Sequence, residues 1–203
     1  MMRLAGALLV ALALAGCASG PPGAVYVDPK APLAGSSRFN LTDLHIVADK
    51  MTAELLATPI FDDYTAKRGR KPVVRFSGVR NRTNEHVDMK LITDKIRTQL
   101  VKSGKVVFVE DREEEHVREN ILWEQEYGQS GLVSKKTAPK VGKIKGAAYH
   151  LFGELVYLQD VVGTQKNTYY RFTLNLQNTT TSALEWSEEQ EIAKVAQRPM
   201  FGG

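Results

Sequence analysis

Apolar positions along this chain change their spacing twice, and the changes mark out its elements. Leu44, Val47, Ala48, Met51 and Leu55 fall three or four apart, the period of a helix with one buried face. Asn40 or Thr42 stands where a cap belongs, and Thr58-Pro59 closes the pattern. Residues 61–71 hold Lys67, Arg68, Arg70 and Lys71 with little periodicity, which reads as an irregular basic connection. Residues 72–79 open on proline and run through Val73, Val74, Phe76 and Val79 as a strand. A polar loop over 80–85 leads to a helix over 87–103, striped by Met89, Ile92, Ile96 and Leu100 and stopped by Gly104. Residues 105–109 are the next strand.

Asp111 with Glu114 has the spacing of a capping box, and opens a helix carrying Val117, Ile121, Leu122 and Trp123 towards Tyr127. Gly128 to Gly131 ends it, and Thr137 with Pro139 in the first turn predicts a short helix over 137–144. The last quarter alternates with period two: 148–158, 168–176 and 183–192 read as three strands, linked through Gly163-Thr164 and Asn178-Thr179. Strands separated by helices, then an antiparallel meander, predict an α+β (or α/β) fold with a single mixed sheet and helices packed on it. The folded domain spans 40–198, with 199–203 as a tail.

The N-terminus belongs to a different pattern. Arg3 precedes an uncharged apolar run from Leu4 to Ala15, followed by Leu14-Ala15-Gly16-Cys17. A basic start, a short apolar run and small residues before a cut are the marks of an export signal over 1–16. The run is shorter than the ~20 residues that cross a bilayer core. Cys17 is the one cysteine of the chain, so no internal disulfide is possible. Its position at the cut resembles the lipobox of bacterial lipoproteins, whose cysteine carries a diacylglycerol and an acyl chain. Ala18 stands where some inner-membrane lipoproteins carry aspartate, so the outer membrane, facing the periplasm, is the expected location.

Residues 17–39 are rich in Gly, Pro, Ala and Ser, a composition too poor in apolar surface to fold and suited to a tether. From Cys17 to Asn40 such a chain spans ~75 Å at most and ~27 Å on average. The formal net charge is only +4, which does not call for nucleic acid.

Catalytic patterns are sparse. His45, His86, His116 and His150 are far apart in sequence, and His116 lacks the second histidine of a metalloprotease helix. No Gly-x-Ser-x-Gly elbow and no Walker A order is present. No catalytic residue, metal or soluble cofactor is therefore expected.

Two surfaces are candidates for a partner. Arg80-Asn81-Arg82-Thr83-Asn84 joins local turn formers to guanidinium groups suited to carboxylates, although a self-capped turn would read the same way. Lys135, Lys136, Lys140 and Lys143, with Lys145 beyond them, form an unbalanced basic run. Such a run is either a solvated face or a steering patch for an acidic partner.

The lipobox is joined by several further pieces: Val79 through Asn84, Leu100 with Ser103-Gly104-Lys105, Gly146 through Gly153, Leu174-x-Leu176, and Trp186-Ser187. Together they resemble the LpoB family, outer-membrane lipoprotein activators of class A penicillin-binding proteins, over residues 40–196. The resemblance implies a sheet-and-helix domain like the N-terminal domain of TolB. It also implies a non-enzymatic regulator, expected to be monomeric, that docks on an accessory domain of a peptidoglycan synthase and stimulates glycan polymerisation and cross-linking. A structural or secretion-linked envelope lipoprotein of the curli-secretion type is the alternative.

Overall fold

The structure is a computed structural model, and it describes residues 28, 37–109 and 115–197. The export signal, Cys17, most of the tether, the Asp111–Glu114 cap and the tail lie outside the described residues.

Helix α1 spans Leu41–Ala57. Asn40, rather than Thr42, caps it: Oδ1 accepts from the Thr42 and Asp43 amides at 2.9 and 3.3 Å. The Asp43 carboxylate returns the contact, accepting from the Asn40 amide at 2.7 Å. This reciprocal box satisfies amides that the first turn cannot pair internally. The inner face buries Leu44, Val47, Ala48, Met51 and Leu55, as their spacing predicted.

The stretch expected to be an irregular basic connection is instead a second helix, α2, over Ile60–Arg68. Its signals are terminal rather than periodic. Asp62 and Asp63 sit in the first turn, Lys67 and Arg68 in the last, and Gly69 closes it at φ 66°. Phe61 is its one buried residue, so the chain shows no apolar stripe there.

Strand β1 (Val73–Asn81) leads through a loop to α3 (Met89–Lys102), then to the short β2 (Val107–Val109). After α4 (Glu115–Gln129), the chain ends in three strands of fourteen residues each: β3 (Tyr149–Val162), β4 (Gln165–Asn178) and β5 (Leu184–Gln197). They run further than their apolar alternation predicted, because antiparallel pairing continues across polar residues from Asp160↔Asn167 to Val162↔Gln165. Gly163, at φ 61°, turns the first hairpin. The second has no glycine in its loop. Ser182 takes the left-handed conformation at φ 60°, and Asn178 Oδ1 accepts from the Thr180 and Thr181 amides at 2.9 and 3.1 Å.

The five strands form one mixed sheet in the order β2-β1-β3-β4-β5. β1 is parallel to both β2 and β3, and the β3-β4-β5 meander is antiparallel. Helices α1 and α3 pack together, α3 against β1 and α1 against β5. They cover one face, where Val74, Phe76, Leu151, Leu155, Phe172, Leu174 and Leu176 meet Met51, Leu55, Ile92, Ile96 and Leu100. Burial of these side chains stabilises the fold by about 1.5–3 kcal/mol each before entropy is counted. The fold is therefore α+β with one mixed sheet, as expected.

One expectation holds between β2 and β3 and one fails: α4 forms, whereas residues 137–144 do not become a helix. The apolar residues of α4 do not share a face, because a helix turns 100° per residue and places Trp123 far round from Ile121. Gln125 is buried, whereas Ile121, Leu122, Trp123 and Tyr127 are exposed. Residues 137–144 form no helix but an open turn: the amides of Thr137 and Ala138 both donate to Ser134 O at 3.0 Å. Val141 and Ile144 are exposed, so a helix there would have no apolar stripe to bury.

Candidate functional site on the uncovered sheet face

The face of the sheet opposite α1 and α3 owes its side chains to an irregularity in β1. Phe76 pairs with Leu151, but Val79 pairs with Gly153, so β1 holds one residue more than β3 between these points. Gly78 occupies this bulge at φ 78°, a conformation glycine adopts without a side-chain clash. Before the bulge Val74 and Phe76 point to the core. After it Val79 does. Arg75, Ser77 and Arg80 are thereby turned onto the same uncovered face.

From β3 the same face receives His150, Phe152 and Glu154, and from β4 Asn175 and Gln177. Two adjoining hollows of about 450 Å³ each run along it. Arg80 lines one, Arg75 lines the other, and Ser77, His150 and Gln177 border both. The Ser77 hydroxyl and His150 Nε2 are hydrogen-bonded. Arg75 Nε is buried without a hydrogen-bond partner, and Arg80 is exposed and unpartnered among the described residues.

The turn after Arg80 separates residues that shape from residues that present. Asn81 Oδ1 accepts from the Thr83 amide at 2.9 Å and the Thr83 hydroxyl at 2.7 Å, while Asn81 Nδ2 donates to Glu85 O at 2.8 Å. The Glu85 amide donates to Thr83 Oγ1 at 3.1 Å. Asn81 and Thr83 are thus spent on the turn itself. Arg82 is exposed and reaches Glu154 Oε2 at 3.8 Å, a pair worth little at such exposure. Asn84 is also exposed. Of the five residues singled out by sequence, Arg80, Arg82 and Asn84 remain free to present groups outward.

The structure does not bring the lysines to this turn. Lys135, Lys136, Lys140 and Lys143 are all exposed on the open segment before β3. That segment joins the sheet at Tyr149, the partner of Val74, whereas the turn leaves it at the level of Leu155. Six positions along β3 amount to about 20 Å. Arg75, Ser77, His150, Asn175 and Gln177 did not emerge from the sequence. Their signal is alternation with buried neighbours, together with a glycine inside a strand.

Among the described residues, no group of three or more His, Cys, Asp or Glu could hold a metal ion, and no carboxylate bonds the His150 imidazole. No helix among them is long and apolar enough to cross a membrane.

A family model described as peptidoglycan-synthase activator LpoB matches residues 43–192. Among solved structures, the LpoB C-terminal domain from Salmonella enterica is similar at 20% identity, covering 66% of this chain and 93% of that one, with a TM-score of 0.35. The corresponding domain from Escherichia coli matches at 19% identity over 67% and 94%, also with a TM-score of 0.35. Lipoprotein GNA1162 from Neisseria meningitidis matches at 13% identity over 61% and 83%, with a TM-score of 0.37. No curated protein matches the sequence.

Proposed function

The chain belongs to the LpoB family of peptidoglycan-synthase activators, and on that premise we propose that it is a lipid-anchored, non-catalytic activator of a class A penicillin-binding protein. The observation that carries the docking surface is the Gly78 bulge, which gathers Arg75, Ser77 and Arg80 on an uncovered face with guanidinium donors still unspent. A planar guanidinium pairs with a carboxylate through two parallel bonds, so the fitting partner is an acidic side chain on the synthase's accessory domain. Arg82 and Asn84 extend the surface at its rim, and Asn81 with Thr83 fixes the turn that carries them.

Activation is then a coupling free energy. The lipoprotein binds the active form of the synthase more tightly than the idle form, and the synthase shifts accordingly. The chain itself performs no bond chemistry, and it needs no cofactor beyond the lipid on Cys17. That lipid holds it as a monomer on the periplasmic face of the outer membrane. Membership in an activator family supports this regulatory reading over an enzymatic or secretion-linked one.

The test is crosslinking in intact envelopes, with a photoreactive residue in place of Asn84 and mass spectrometry as the readout. A class A synthase is the expected partner. Recovery of secretion components instead would overturn the reading.

A further inference from the structure

The stretch from α4 to β3 has surface chemistry that the sheet face does not use. Lys135, Lys136, Lys140, Lys143 and Lys145 are exposed, and none of their ammonium groups has a partner among the described residues. No acid occurs between Glu126 and Glu154. Leu132 is 77% exposed and is followed by Val141 and Ile144, also exposed. The stretch folds back on the end of α4, since a Cβ at Gly128 would lie 3.2 Å from Pro139 Cδ and 3.3 Å from Ala138 Cβ. Just before it, Trp123 and Tyr127 stack at 5.1 Å with their rings 6° from parallel, turned away from the buried Gln125.

We propose that this stretch docks on the anionic phospholipid surface of the membrane that anchors the chain. The inference rests on the lipid anchorage proposed above. Three features select a lipid surface over an acidic protein. The sheet face carries arginines, whose rigid forks suit fixed carboxylates, whereas this stretch carries lysines alone. A lysine keeps its hydrated ammonium among headgroups while its stem lies along the acyl boundary. The exposed aliphatic residues Leu132, Val141 and Ile144 are spread singly along the stretch, as a fluid surface accepts. Tryptophan and tyrosine are the aromatic residues of membrane interfaces. Of the acids of α4, Glu119 stands one turn before Trp123 on the same side of the helix, and Glu124 and Glu126 border the aromatic pair; the five lysines outnumber them.

Reach supports the same occupant. The chain enters the domain at Ser37–Phe39, held by Tyr170 and Lys194. Lys194 is level with Thr168 and Gln159, near the far end of the meander from Tyr149. That separation is about 35 Å along the sheet, within the ~75 Å span of the tether. Lipid at one end and lysines at the other would lay the long axis of the sheet along the membrane. The anchor raises the effective concentration of the second contact.

Co-sedimentation of the mature chain carrying Cys17→Ser with vesicles tests this without the covalent lipid. Vesicles of phosphatidylcholine with one-quarter phosphatidylglycerol should bind at least about tenfold more tightly than phosphatidylcholine alone, and added salt should reduce the difference. Changing all five lysines to glutamine should abolish that preference, and Trp123→Ala should weaken binding to both vesicles. Arg80→Ala should leave vesicle binding unchanged. Equal binding to both vesicles, or a five-lysine variant that sediments like the parent, overturns the proposal. So does an absence of vesicle binding together with lysine-dependent binding to purified synthase, which would make the stretch a protein contact. Vesicle binding is scored without synthase, so its failure leaves the sheet-face reading standing, and the reverse also holds.

Discussion

The hydroxyl of Tyr170 donates to Glu85 Oε1 at 2.7 Å, joining the middle of β4 to the loop that follows β1. Glu85 Oε2 accepts from the Phe39 amide at 3.0 Å, and the Phe39 ring meets the Tyr170 ring edge-on at 5.6 Å. The backbone carbonyl of Glu85 is the acceptor for Asn81 Nδ2. One residue therefore ties the point where the chain enters the domain to the turn that carries Arg82 and Asn84. The shape of the candidate docking surface depends on a contact buried beneath it.

Replacing Tyr170 with phenylalanine removes the donor and leaves the Glu85 carboxylate half-paired in a confined site. A loss of about 1–3 kcal/mol is expected from a urea titration. Unchanged stability would show that water replaces the hydroxyl without cost.

Gly153 tests packing in the same way. A Cβ there would lie 2.5 Å from Thr173 O and 3.3 Å from Leu174 Cδ1, on a strand whose neighbour is held by its ladder. Gly153→Ala is expected to destabilise by about 1–3 kcal/mol. Gly146→Ala, with nothing within 4 Å of the added carbon, should change the urea midpoint little.

Alkaline pH provides a third test. Burial, then the hydrogen bond and charge of Glu185, push the Tyr149 phenol up from 10.0 to about 12. Burial and Glu85 raise Tyr170 further in the same direction. Both phenols hold their protons in the folded state after the unfolded chain would release them. Their contribution is thus complete below the ordinary tyrosine value and is lost as pH rises towards and through the folded-state values. Urea midpoints measured across this range should fall steeply, and Tyr149→Phe should flatten the fall.

Elements that bury a stripe were legible in the sequence. The residues Leu44 to Leu55 and Ile92 to Leu100 announce α1 and α3 because the core selects their spacing. Helix α2 buries only Phe61, so no period reveals it. Residues 137–144 carry a helix start signal, but Val141 and Ile144 have no surface to pack against and the start is not propagated. For the site, Arg80 and Arg82 stood out as arginines in a polar turn. Arg75, Ser77 and His150 did not, because which sheet face the helices leave open is decided by packing far from those residues. The Gly78 bulge then sets Arg80 on that face by a one-residue shift that alternation alone does not anticipate.

Docking through Arg80 onto a synthase is tested most directly by glycan polymerisation in detergent solution. The unlipidated chain should raise the rate of a class A penicillin-binding protein from the same organism. Arg80→Ala should require about tenfold more protein for the same stimulation, the loss expected when a charged hydrogen bond is removed. Equal stimulation by both proteins would contradict the assigned surface, and no stimulation of any class A synthase of that organism would contradict the activator role itself.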